Sequence, residues 1–121
     1  MKNYRQRFGA WGEKLAEEYL EHKGYVVLAR NIRTPYGEID LLVRQEATLV
    51  FVEVKARSTR AYGLPEDSLT WRKQAHILDS SRYYLQEHPE YTEDWRVDVI
   101  AIQKKPGDEP AEIIHFENAF N

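Results

Sequence analysis

The chain has 121 residues, 42% of them apolar and 31% charged, which is the balance of an ordinary globular protein and excludes a disordered one. No apolar run approaches the ~20 residues of a membrane-crossing helix, and the absence of cysteine excludes disulfides and thiolate metal sites. The opening MKNYRQRFGAWGEK has basic residues but no apolar segment, so no secretory signal is expected and a cytoplasmic location is.

The formal charge of −3 argues against a simple basic nucleic-acid binder, yet the charge is unevenly spread. Residues 1–86 hold 14 Lys/Arg against 11 Asp/Glu, whereas residues 87–121 hold 3 against 9. One face can therefore carry a positive patch, with Arg57, Arg60, Arg72 and Lys73 as its candidates.

In chain order, Trp11, Leu15, Ala16, Tyr19 and Leu20 recur at helical spacing and predict a helix from Gly9 to Lys23, closed by Gly24. Tyr25 to Asn31 reads as a first strand, and Pro35-Tyr36-Gly37 ends the turn that follows it. Glu38 to Arg44 and Leu49 to Arg57 form a hairpin around Gln45-Glu46-Ala47-Thr48. After a loop from Ser58 to Ser68, Thr70 is a fair N-cap for a helix running to about His88, where Pro89 follows. Trp95 to Ile102 and Ala111 to Phe116 are the last strands, joined by a charged turn from Lys104 to Pro110. The order is α-β-β-β-α-β-β, a single α/β domain with a mixed sheet.

The hairpin carries the chemistry. If Arg44 faces Leu49, paired residue numbers sum to 93, so Asp40 lies opposite Glu53 and Glu38 opposite Lys55, all on one face. Two carboxylates ~5 Å apart repel by roughly 3 kcal/mol at an effective dielectric of ~20, while a favourable cross-strand pair contributes only ~0.2–1 kcal/mol. A bound cation, a shared proton, or Lys55 with a nearby arginine must offset that repulsion. Simple alternation on a wet hairpin face would also produce Val-Glu-Val-Lys-Ala. Against it, Leu49 to Val52 is apolar on both faces and the charges appear only beyond it, as in a central strand that opens into a cleft. A one-residue slip would separate Asp40 from Glu53. Two carboxylates suit Mg²⁺ or Mn²⁺, which keep waters and accept phosphate oxygens. With Lys55 beside them they point to metal-assisted phosphodiester hydrolysis.

Asp40 followed by Glu53-Val54-Lys55 on the next strand resembles the signature of the PD-(D/E)xK nuclease superfamily. The WGE helix start, GEIDLL, FVEVKAR, GLPEDSLTWRKQ and RVDVIAI extend the resemblance, over most of the chain, to the YraN family of bacterial proteins. Ile39 stands where the superfamily pattern has proline. The resemblance implies a restriction-endonuclease-like fold and a Mg²⁺-dependent endonuclease acting on DNA, branched or single-stranded, in preference to RNA. A non-catalytic nucleic-acid-binding or assembly module that keeps the fold is the alternative.

On this reading Asp40 and Glu53 hold the metal and Lys55 orients water and stabilises transition-state charge. The resemblance carries a helical metal-site glutamate to Glu13, whose other reading is a solvated helix edge. Glu38 is either a third carboxylate or the salt-bridge partner of Lys55. Arg57, Arg60, Arg72 and Lys73 are the phosphate contacts, two of them in the first turn of the second helix where a phosphate would suit the helix N-terminus. Gln74 falls where nuclease relatives place a polar residue. Tyr62 and Trp71 are either base-stacking or core. Asp98 is read as structural, bonded to an arginine, and His22, His76, His88 and His115 show no ligand spacing. The acidic isoelectric point of 5.8 favours a second chain, as in a homodimer, or a small binding footprint.

Overall fold

The computed structural model describes residues 3–58 and 71–120. Its first helix, α1 (Tyr4–His22), begins five residues before Gly9. The reason is a capping box: Gln6 N–H donates to Asn3 Oδ1, and Asn3 N–H donates to Gln6 Oε1, both at 2.9 Å. The helix closes at Lys23, and Gly24 follows at φ +92°, a left-handed conformation that favours glycine.

Three antiparallel strands follow, β1 (Val26–Thr34), β2 (Gly37–Gln45) and β3 (Thr48–Arg57). After α2 (Trp71–Glu87), β4 (Asp94–Gln103) lies parallel to β3, and β5 (Glu112–Phe116) returns antiparallel to β4. A parallel neighbour requires a crossover connection, which contains α2. The strands lie in the sheet in chain order, and the α-β-β-β-α-β-β sequence with a mixed sheet is the restriction-endonuclease-like arrangement expected. Thr70, the expected cap of α2, lies outside the described residues. Among those described, no helix is long and apolar enough to cross a membrane.

β3 is central. Leu49, Val50, Phe51 and Val52 are all fully buried, as their two-sided apolar character predicts. Val50 and Val52 pack with Ala16 and Leu20 of α1, while Leu49 and Phe51 pack on the other face with Ile77 of α2. Each such side chain contributes roughly 1.5–3 kcal/mol, so this stretch anchors the strand from both sides. Burial gives out immediately afterwards: Glu53, Val54, Lys55, Ala56 and Arg57 are all half-buried. The charged end of β3 thus projects from a stretch that is buried on both faces.

α1 crosses this end at very close range. A Cβ placed on Gly12 would meet Ala56 Cβ at 2.9 Å, inside van der Waals contact. Only glycine lets the helix backbone rest there, and the next residue is Glu13. In the middle of β4, opposite Val52, the fully buried Asp98 accepts from Arg96 Nε at 2.9 Å and from Asn118 N–H at 2.9 Å, and lies 2.7 Å from His115 Nε2. Arg96 also donates to Tyr25 Oη and Gln45 Oε1, tying β4 to β2 and the start of β1. The expected structural aspartate, bonded to an arginine, is found here.

Candidate active site at the parting of two strands

The hairpin register is the expected one, with Gln45 opposite Thr48, Arg44 opposite Leu49 and Leu41 opposite Val52. The ladder then stops. β3 stays paired with β4 as far as Arg57 opposite Gln103, whereas β2 leaves β3 beyond Leu41. The directly opposed pairs expected for Asp40–Glu53 and Glu38–Lys55 therefore do not form as ladder partners. The cause is a side chain: Val54 N–H donates to Asp40 Oδ2 at 2.7 Å, so a carboxylate takes the place of a main-chain acceptor.

Parting the strands still brings the two acids together. The Glu53 carboxyl is pushed up from its ordinary 4.5 to about 9. Burial is the largest cause, followed by its hydrogen bond to Asp40 and the Asp40 charge; Lys55 opposes the shift and Glu13 adds to it. With no cation beside it, the buried Glu53 carboxyl favours its protonated form, hydrogen-bonded to Asp40.

Two adjoining carboxyls, one of them raised by burial and by its neighbour's charge, are the donor set a hard divalent cation prefers. Asp40 and Glu53 fit that group. Among the described residues no three carboxylates or imidazoles close on one point. Glu13, half-buried on α1, reaches Glu53 through its charge.

Lys55 borders two clefts. One, of about 170 Å³, is shared with Glu38, Glu53, Lys73 and His76. The other, of about 370 Å³, is shared with Glu13, Arg57, Lys73 and the first turns of α1. Lys73 lies at both, while Arg72 and Gln74 border neither. Arg72 is exposed and Gln74 half-buried on α2. Glu38 is exposed at the cleft rim, and among the described residues no ion pair joins it to Lys55. Trp71 is 76% exposed, which removes the core reading. Arg60 and Tyr62 lie outside the described residues.

The clefts add to the expected residues His76, which carries no metal-ligand spacing, and Tyr4, Arg5 and Phe8, which precede the helix start inferred from periodicity. The Asn3-x-x-Gln6 spacing was the signal for the last three, because it marks the true start of α1.

Comparison with known proteins agrees with the motifs. The family model described as uncharacterised protein family UPF0102 matches residues 12–102. A UPF0102 protein of Desulfosudis oleivorans is 42% identical over 121 residues, covering 100% of this chain and 95% of the relative. One from Syntrophotalea carbinolica is 42% identical over 100% of the chain and 97% of the relative. One from Alkaliphilus oremlandii is 43% identical over 95% of the chain and 98% of the relative.

Proposed function

The chain belongs to the uncharacterised protein family UPF0102, the YraN family, and from that membership and the site's geometry we propose that it is a metal-dependent endonuclease hydrolysing phosphodiester bonds of DNA. The observation that carries the reading is the Asp40–Glu53 contact at the point where β2 and β3 part, with Lys55 two residues further along β3.

Asp40 and Glu53 would hold Mg²⁺ or Mn²⁺, with Glu13 assisting through its charge. The cation would polarise a phosphoryl oxygen and make a water more acidic. Lys55 places a fixed positive charge beside the carboxyls, where it stabilises the charge that builds on the phosphate in the transition state. Glu53 must give up its proton to act as a ligand, so ion binding would release a proton from the site. The Val54 N–H fixes the Asp40 carboxyl, which limits the reorganisation needed at the moment of reaction. Arg57 and Lys73 line the adjoining cleft and would supply phosphate contacts; Arg72 and Arg60 remain as further candidates.

The test is cleavage of single-stranded, duplex and branched DNA, and of RNA, by the purified protein with Mg²⁺ or Mn²⁺. Wild type should cut DNA, and Glu53→Gln or Lys55→Ala should lose the activity without unfolding. Salt-sensitive DNA binding with every substrate left intact would transfer the reading to a non-catalytic binding module.

A further inference from the structure

The side chains of Tyr4, Phe8 and Trp11 form a continuous stack along α1. Tyr4 and Phe8 have ring centroids 6.2 Å apart and planes at 19°; Phe8 and Trp11 are 5.1 Å apart at 25°. The inner end is anchored, because Trp11 packs against the core cluster of Ala16 and Leu20. The outer end is open, since Tyr4 is 63% exposed. A large aromatic surface held out at a helix start is not explained by folding, because burying it would contribute more than displaying it.

What the stack faces gives it a use. Tyr4 and Phe8 border the cleft of about 370 Å³ that also holds Lys55 and Glu13, so the rings and the candidate active site share one hollow. Arg5, Arg57 and Lys73 border the same cleft, putting cations against an aromatic wall. A strand of nucleic acid offers the matching pair of features, a phosphate at each step and a base with two flat faces. In a duplex those faces are already covered by neighbouring bases, so a rigid ring has nothing to stack on. An acidic or hydrophobic peptide would use either the cations or the rings, but has no repeat that alternates the two at nucleotide spacing.

We infer that the cleft between the first turns of α1 and the outgoing end of β3 binds an unpaired DNA strand, with a base stacked on the Tyr4–Phe8 face and phosphates on Arg5, Arg57 and Lys73. This deepens the nuclease reading, on which it rests for the direction of the strand toward Lys55. It makes the substrate one with a single-stranded part beside the cut: a flap, a gap, a fork or a free strand.

Fluorescence anisotropy in EDTA tests it on the full chain, using a labelled mixed-sequence DNA strand of about 12 nucleotides, within the usual footprint of such sites. The same strand in a blunt duplex and its RNA counterpart are the comparison probes. Wild type should prefer the DNA strand to the duplex. Tyr4→Ala should lower single-strand affinity by roughly 5- to 150-fold, the equivalent of losing ~1–3 kcal/mol of base stacking, and shrink the preference over duplex. Tyr4→Phe should restore it, and Arg57→Gln should flatten the salt dependence by about one counterion. Since Tyr4 is exposed, its replacement leaves folding intact. Wild-type affinity in both Tyr4→Ala and Phe8→Ala, or equal losses for strand and duplex, overturns the inference. A preference of about tenfold or more for the RNA strand overturns the assignment to DNA. Because EDTA suppresses metal-dependent cleavage, this outcome is independent of whether Glu53→Gln abolishes cutting.

Discussion

The Asp40 carboxyl accepts the Val54 N–H at 2.7 Å while also meeting the carboxyl of Glu53, the residue immediately before Val54. One side chain thus closes a backbone hydrogen-bond gap and creates the acidic pair. Asp40→Asn keeps an acceptor for Val54 but removes the charge, whereas Asp40→Ala removes both, so the two variants separate the backbone role from the electrostatic one.

The pair sets the pH dependence of stability. Glu53 is raised to about 9 in the folded protein from an ordinary 4.5, so the native state binds a proton that the unfolded chain has released between those values. Its contribution is present below pH 4.5 and is lost as pH rises toward 9. Asp98 acts in the opposite sense: burial raises it, but the bonds from His115, Arg96 and Asn118 outweigh this and lower it, so its contribution is lost in acid. Denaturation at a series of pH values should place maximal metal-free stability on the acidic side of neutrality. Glu53→Gln should flatten the decline toward pH 9; an unchanged decline would assign it to other groups.

On the proposed reading, metal and proton would compete for the same two carboxyls. Mg²⁺ or Mn²⁺ should raise the melting temperature by binding only the folded state. The rise should grow between about pH 6 and 9 as Glu53 becomes easier to deprotonate, with proton release on binding measurable by calorimetry in buffers of different ionisation enthalpy. Asp40→Asn should abolish the metal response and itself stabilise the metal-free protein. A metal shift of undiminished size in that variant would locate the ion elsewhere.

Gly12→Ala should destabilise, although alanine favours an exposed helix by about 1 kcal/mol over glycine. The new Cβ meets Ala56 Cβ at 2.9 Å, and neither atom can turn away because both are fixed to backbone. Overpacking of this kind typically costs about 1–3 kcal/mol. Ala56→Gly should recover most of the loss in the double variant, measured by chemical denaturation; independent additive losses would mean that the contact does not limit the approach of α1 to β3.

Asp98→Ala should cost about 3–5 kcal/mol, since it leaves the Arg96 charge half-buried and the Asn118 N–H and His115 without their partner. The metal-induced thermal shift should survive in whatever fraction folds. Loss of that shift from a folded variant would give Asp98 a part in the site.

The hairpin was legible in sequence because two-sided burial of Leu49–Val52 and the spacing to Arg44 admit one register. The parting of the strands was not. Alternation continues unbroken through Glu38–Ile39–Asp40, and nothing in a residue pattern says that a carboxylate will replace a main-chain acceptor. The early start of α1 was also legible: Tyr4, Phe8, Trp11 and Leu15 keep helical spacing, and the Asn3–Gln6 capping box marks where it begins. Arg72 was placed near the site by its rank in the α2 turn, but rank does not fix azimuth, and Lys73 is the residue that borders the clefts.

Beyond Val52, β3 is zipped on one side only. Its N–H groups alternate in direction, so Val54 and Ala56 turn toward the gap left by β2 while Lys55 turns toward β4. Solvent hydrogen exchange along this segment should therefore alternate between fast and slow, with Val54 as the exception on the open side. Its protection depends on one carboxylate and not on a neighbouring strand. The Val54 amide is a native reporter of the site: its exchange rate follows whatever holds or draws away Asp40, without a label and without a substrate.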